Sequence, residues 1–213
     1  MFLSGFIYAQ EPAQRWENEV QAYEKQDIQN PPEEGMILFT GSSSIRMWHD
    51  IADYFPEAEV LNRGFGGSQF SDLIYYADRL IYPYKPSKIF IYEGDNDIAA
   101  GKSNDEILAD AAQLRNMIAK ALPGVPVIFI SPKPSLTPRR KHLRSQYEAL
   151  NERLRKYAER TPRTEFGDVW TEMLDDDGKV FDHIFLSDSL HMKPEGYKIW
   201  QEVLSPFVYS DPS

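Results

Sequence analysis

The sequence predicts an α/β protein: a doubly wound, three-layer α/β/α sandwich around a five-stranded parallel sheet. Three observations carry this. Five short apolar runs punctuate the 213 residues, and most are continuous rather than alternating, as in strands buried on both faces. Amphipathic helical patterns separate them, and strand–helix–strand alternation implies parallel pairing through right-handed crossovers. No linker, low-complexity tract or internal repeat divides the chain.

Residues 1–30 read as an N-terminal segment and 31–213 as a single domain. "MFLSGFIYAQEPAQ" is too short an apolar stretch to span a bilayer. It is similar to the end of a secretory signal, with Ala9 as the candidate cleavage point, but lacks the basic region that opens one. A helix near 12–26 would pack outside through Trp16, Val20 and Tyr23. Predicted strands are 36–41, 58–64, 88–94, 125–132 and 164–170. Ile107, Ala111, Leu114, Ile118 and Leu122 form one helical stripe; Leu143, Tyr147, Leu150, Leu154 and Tyr157 form another. Pro194 suits the first turn of a last helix, with Tyr197, Trp200, Val203, Leu204 and Phe207 along one side.

Composition narrows the function. A hydrophobic content of 42% fits a packed core rather than disorder. The net charge of -10 argues against nucleic acid as a partner, which needs a basic face. The one basic cluster, "PRRKHLR" at 138–144, reads as a solvated helix start. The absence of cysteine excludes disulfides, thiolate metal sites and a cysteine nucleophile.

Several motifs fail. "GFGGSQ" has Gln69 at the third glycine position of a dinucleotide fingerprint and comes after the second strand, not the first. "GKS" at 101–103 has Asn96 where a P-loop needs glycine. No G-x-S-x-G elbow, H-E-x-x-H or calcium-loop pattern occurs.

Open α/β sheets place ligands beyond the carboxyl ends of their strands. Gly41-Ser42-Ser43-Ser44 lies after the first strand, Arg63-Gly64-Phe65-Gly66-Gly67-Ser68 after the second and Glu93-Gly94-Asp95-Asn96-Asp97 after the third. "FLSDSLHMKPEGY" precedes the last helix and holds Asp188 and His191. Each alone has an ordinary reading as a helix cap, a tight turn or a surface histidine. Together they supply acyl transfer with its parts. A hydroxyl nucleophile needs an adjacent base, and histidine suits because it titrates near neutrality. A carboxylate orients the imidazole, and N–H donors hold the oxyanion.

These blocks resemble the SGNH hydrolases, also called the GDSL esterase/lipase family, which carry Ser, Gly, Asn and Asp-x-x-His in this order. The resemblance runs from about 36 to 208 through "FTGSSSIRMW", "NRGFGG", "GDND" and "DSLH", and is strongest to bacterial members reading GSSSIR-x-W. It implies the flavodoxin-like SGNH hydrolase fold. It implies Ser43 as nucleophile, with Ser42 replacing the family's aspartate and Trp48 at the family's tryptophan spacing. It implies Asp188 and His191 as the other triad members, with Ser189 where glycine is common. The oxyanion hole it implies consists of Ser43, Gly67 and Asn96, and Ser44 would open the helix. No metal or cofactor is expected.

The expected function is a serine esterase acting on short acyl chains, including acetyl groups on carbohydrate. The alternatives are a lipid acylhydrolase or thioesterase, or a non-catalytic module using the serine turn as an anion cradle. A receiver-type phosphate-transfer protein would need acids at the first strand's end, where this chain has serines. The substrate partner would be a small-molecule or carbohydrate ester, and the location periplasmic or secreted, with cytoplasmic as the alternative if the first residues are not a signal remnant. Glu93, Asp95 and Asp97 would alternate in direction as strand neighbours and so suit a metal poorly. Asp97 is expected to cap the turn after it, and Arg63 to pair with an acid near the site. Lys133, Pro134 and "SLTPRRKH" would form a mobile rim. His49, His142 and His183 are assigned to the surface.

Overall fold

The structure, a computed structural model, describes residues 12–210. The candidate signal remnant, Ala9 included, lies outside them. Five strands, β1 (Ile37–Gly41), β2 (Val60–Gly64), β3 (Lys88–Tyr92), β4 (Val127–Ile130) and β5 (Thr164–Gly167), form one sheet in the order β2-β1-β3-β4-β5. Every pair is parallel. This is the predicted flavodoxin-like sandwich. The predicted runs overshoot the strands by a few residues, because the apolar character continues into the loops that pack on the sheet. The fifth run overshoots by three residues at its carboxyl end, where Val169 and Trp170 belong to a short helix.

The nine α-helices of the described residues are α1 (Glu17–Gln29), α2 (Ser43–Arg46), α3 (Ile51–Tyr54), α4 (Phe70–Leu80), α5 (Asp95–Ala99), α6 (Asn104–Ala121), α7 (Arg144–Arg160), α8 (Val169–Glu172) and α9 (Pro194–Val208). A 3-10 turn, Pro12–Trp16, leads into α1. Alternate strand residues feed opposite cores, as the two-residue period of a strand requires. Leu38, Ile89, Ile91, Val127 and Phe129 meet residues of α1, α4, α6 and α7. Ile37, Phe39, Phe90, Ile128 and Ile130 meet residues of α2, α3, α8 and α9. Phe39 and Phe90 stack across β1 and β3 with ring centroids 4.4 Å apart.

Because β1 lies between β2 and β3, the chain leaves it in opposite directions on its two sides. Such a switch point opens a crevice at the strands' carboxyl ends. Gly41, Gly64 and Tyr92 end at one level there.

Candidate active site

The first component is the turn after β1. Gly41 has φ +112°, and a Cβ there would sit 2.2 Å from the Tyr92 carbonyl oxygen, so only glycine fits. The Ser42 N–H donates to that carbonyl at 2.9 Å. Ser42 is extended and takes the N-cap position of α2 without a side-chain capping bond, which makes Ser43, not the predicted Ser44, the first helical residue. Ser44 is buried instead. Trp48 is fully buried between Phe39, Tyr197 and Trp200, and anchors the turn from below.

The second component is the turn Asp188–His191. His191 Nε2 lies 3.1 Å from Ser43 Oγ, and Nδ1 lies 2.5 Å from Asp188 Oδ2. Asp188 Oδ1 accepts the N–H groups of Leu190 and His191 at 3.0 and 2.9 Å. Burial would raise the Asp188 pKa, but the His191 hydrogen bond and those two N–H groups outweigh it, and the carboxyl is held at about 2. Asp188 is therefore a carboxylate at any working pH. Ser189 has φ +59°, which explains on steric grounds why glycine suits this position.

The third component is the loop after β2. Gly67 faces Asn96, with a notional Gly67 Cβ 3.7 Å from Asn96 Nδ2. Neither the Ser43 N–H nor the Gly67 N–H donates to another group among the described residues. Asn96 Nδ2 donates to Ser42 Oγ at 2.6 Å and to the Ser68 carbonyl at 2.9 Å. An oxyanion at Asn96 must therefore draw on the hydrogen that Ser42 now accepts. Ser42 holds the asparagine amide, which gives a physical role to the serine in the aspartate position. The structure thus brings together all five predicted residues: Ser43, Gly67, Asn96, Asp188 and His191.

Two neighbours lie beyond the sequence expectation. Arg140 belongs to the cluster that reads as a solvated helix start, and Arg139, Lys141 and His142 are exposed as that reading requires. Arg140 is not, with a side chain only 13% exposed. Its guanidinium pairs with Asp95 and donates to Asn96 Oδ1 at 2.8 Å, so the amide oxygen is occupied and the NH2 is fixed toward Ser42. Lys133, expected in a mobile rim, is fully buried. Its Nζ donates to the Leu190 carbonyl at 2.5 Å and lies 5.4 Å from the Phe185 ring. Burial lowers its pKa to about 8. The Ser135 hydroxyl and Leu136 N–H both donate to the Ser189 carbonyl, at 3.0 and 3.1 Å. Residues 133–136 are therefore a clamp on the histidine turn rather than a free rim. Two basic residues in a proline-rich loop carry no sequence signal for this.

The third-strand acids separate, each to its own partner. Glu93 accepts the Ser68 hydroxyl at 2.6 Å. Asp95 takes Arg140 and the Tyr147 hydroxyl. Asp97, expected to cap the turn after it, instead takes Lys102 at 2.9 Å and the Phe70 N–H at 3.3 Å. Burial drives this exchange, because a fully buried carboxylate needs a cation. Burial, with Asp97 nearby, raises the Glu93 pKa well above the ordinary range, which favours the protonated form of this acid under the oxyanion loop. Arg63 pairs with Asp27 of α1, an acid partner as expected, but on the outer side of β2. His49, His142 and His183 are exposed.

A buried-sheet α/β fold with a serine, histidine and aspartate in hydrogen-bonding sequence defines a serine-hydrolase type of site. Residues 36–199 match the GDSL-like lipase/acylhydrolase family model. The chain belongs to that family of ester hydrolases, as its four blocks implied. Among solved structures, it is similar to a Streptococcus pneumonia protein provisionally called a platelet activating factor (TM-score 0.80, 21% identity, 92% of this chain and 94% of that one). It is also similar to a GDSL-like lipase from Bacteroides thetaiotaomicron (0.76, 19%, 89% and 96%). A third is a mutant of an acetyl-xylooligosaccharide esterase from Geobacillus Stearmophilus (0.68, 16%, 84% and 97%). These identities establish a shared fold and nothing more. No curated protein matches the sequence significantly.

Proposed function

We propose that this protein is a serine esterase that cleaves short-chain carboxylic esters through an acyl-enzyme on Ser43, with acetylated carbohydrate as its substrate class. The observation that carries the mechanism is the Ser43 Oγ–His191 Nε2 contact at 3.1 Å, with Asp188 on the other ring nitrogen. Ser43 Oγ attacks the ester carbonyl while His191 Nε2 takes its proton. Asp188 stabilises the imidazolium and fixes its tautomer. The N–H groups of Ser43 and Gly67 and the Asn96 amide receive the oxyanion. Collapse breaks the ester C–O bond, and His191 protonates the leaving alcohol. Water, deprotonated by His191, then attacks the acyl-enzyme; the acyl C–Oγ bond breaks, His191 returns the proton to Ser43 Oγ, and the acid is released. A non-catalytic anion cradle would have no use for a histidine held against the serine.

Support for a carbohydrate alcohol comes from a cavity of about 410 Å³ that the triad residues do not line themselves but that two of their neighbours do. Ser135 and Arg140 line it, and the same residues touch Ser189 and Asn96. Its wall also presents Tyr147, Trp170, Lys141 and Arg144. Aromatic rings interleaved with hydrogen-bond donors suit a polyhydroxylated ring better than a long acyl tail. The similar acetyl-xylooligosaccharide esterase points the same way. A periplasmic or secreted location belongs to the same proposal and rests on the first residues of the sequence.

An acyl chain-length series of p-nitrophenyl esters, then a panel of acetylated sugars, tests this. The expected result is a maximum at acetyl or propionyl, acetate release from at least one sugar, and loss of both with Ser43→Ala. A maximum at long chains would replace this reading with a lipid acylhydrolase.

A further inference from the structure

We infer that the N-terminal helix α1 and the turn before it, which precede the stretch matching the family model, are a positioning element of the oxyanion hole, and that Glu19 is its key residue. The inference rests on the esterase reading above. Residues 64–67 carry the Gly67 N–H, and this loop has few bonds of its own to the sheet. The N-terminal segment supplies them. The Glu19 carboxylate accepts the Gly66 N–H at 2.8 Å. The Tyr23 hydroxyl donates to the Gly64 carbonyl at 2.6 Å, and Arg15 donates to the Gly67 carbonyl at 3.1 Å. Trp16 lies against Gly66, where φ is +37° and a Cβ would fall 1.9 Å from the ring. Its edge also meets Phe65, with centroids 6.2 Å apart.

Glu19 has a second contact. Its Oε2, the atom that accepts from Gly66, lies 3.8 Å from the Arg46 guanidinium. Arg46 is in α2, three residues after Ser43. One carboxylate thus joins the nucleophile helix to the oxyanion loop, and these two elements must hold their N–H donors on a single oxygen atom. Behind it, Arg63 pairs with Asp27 and sits between the rings of Tyr23 and Tyr84, each 4.8 Å from its guanidinium carbon. Arg79 of α4 binds both Glu17 and Glu24. The helix is therefore anchored independently of Glu19, and removing that carboxylate loosens the loop at Gly66 and unlinks it from Arg46 without releasing the helix.

Oxyanion donors act in the transition state, so a misplaced loop lowers kcat more than it alters KM. Removing a donor outright costs about 10²–10³ in kcat, and loosening one costs less. In the full chain, Glu19→Ala is expected to lower kcat for p-nitrophenyl acetate roughly tenfold with KM within about twofold, while Glu19→Gln, which keeps an acceptor for Gly66, recovers most of it. Binding of a phosphonate transition-state analogue should weaken in proportion to kcat. A Glu19→Ala protein with wild-type kcat overturns the inference, whatever its melting temperature. If that variant fails to fold, Tyr23→Phe decides, since it removes only the hydroxyl on Gly64: a kcat loss with unchanged KM supports the inference, and unchanged kcat overturns it. Failure of the wild-type chain to hydrolyse any ester would instead defeat the esterase reading itself.

Discussion

Asn96 sits at the meeting point of three protein groups, with Ser42 and Ser68 on its nitrogen and Arg140 on its oxygen. Asn96→Ala should slow turnover by about two to three orders of magnitude, the usual cost of a lost oxyanion donor. Arg140→Gln should act through the asparagine: kcat falls roughly tenfold as the amide loses its fixed orientation, and KM for a small neutral ester changes little. Steady-state kinetics on the purified variants measure both. Asp188 remains ionised to about pH 2, so an acid limb in the pH–rate profile at higher pH does not report this carboxylate. The sequence exposes Ser43, Asn96, Asp188 and His191 because their types and order are themselves the signal. It hides Arg140, whose cluster looks like any solvated helix start until Asp95 and Asn96 are seen to face it. Ser44 is placed one residue too far along because an N-cap serine and a first-turn serine look alike in a run of three.

The elements that matter most are the ones that hold turns in place. The histidine turn has no strand or helix of its own; Lys133, Ser135 and Leu136 clamp it through the Leu190 and Ser189 carbonyls. Lys133→Met keeps most of the buried volume and removes the Leu190 hydrogen bond, so kcat should fall about tenfold as His191 loses its fixed distance to Ser43. The same change removes a buried amine whose folded pKa of about 8 lies below its unfolded value. The unfolded chain holds that proton longer, so wild-type stability gains from this group as pH rises above about 8. The variant should lack that gain in pH-dependent melting. Helix α4 is missing from the sequence expectation although Phe70, Leu73, Ala77 and Leu80 bury one face at helical spacing. Its polar opening, beside a glycine-rich loop, masks that periodicity. The stripes of α6, α7 and α9 are legible because those helices run for 18, 17 and 15 residues, four turns or more, against 11 in α4.

Across the whole molecule, the two cores and the parallel order follow from continuous apolar strands, and they fix the site at one rim of the sheet. The N-terminal helix shows where a sequence reading stops short: Trp16, Val20 and Tyr23 mark a buried face, but nothing in their spacing says that the face covers Gly64–Gly67. The same rim holds a buried acid whose neutral form is favoured. Glu93 is buried beneath Ser68, and its folded pKa is raised, so the folded state keeps a proton that the unfolded chain gives up above the ordinary carboxylate range. Stability from this group is present at acid pH and is lost as pH rises toward the folded pKa. Glu93→Gln, neutral at every pH and still an acceptor for Ser68, should raise the melting temperature at pH 8 and leave it nearly unchanged at pH 4. The central claim is that one serine of three forms the acyl-enzyme, and a fluorophosphonate that traps that serine tests it most directly. Peptide mass spectrometry of the inactivated protein should place a single phosphonyl adduct on Ser43, with none on the His191→Ala variant; an adduct on Ser42 or Ser44, or unimpaired labelling without His191, would contradict it.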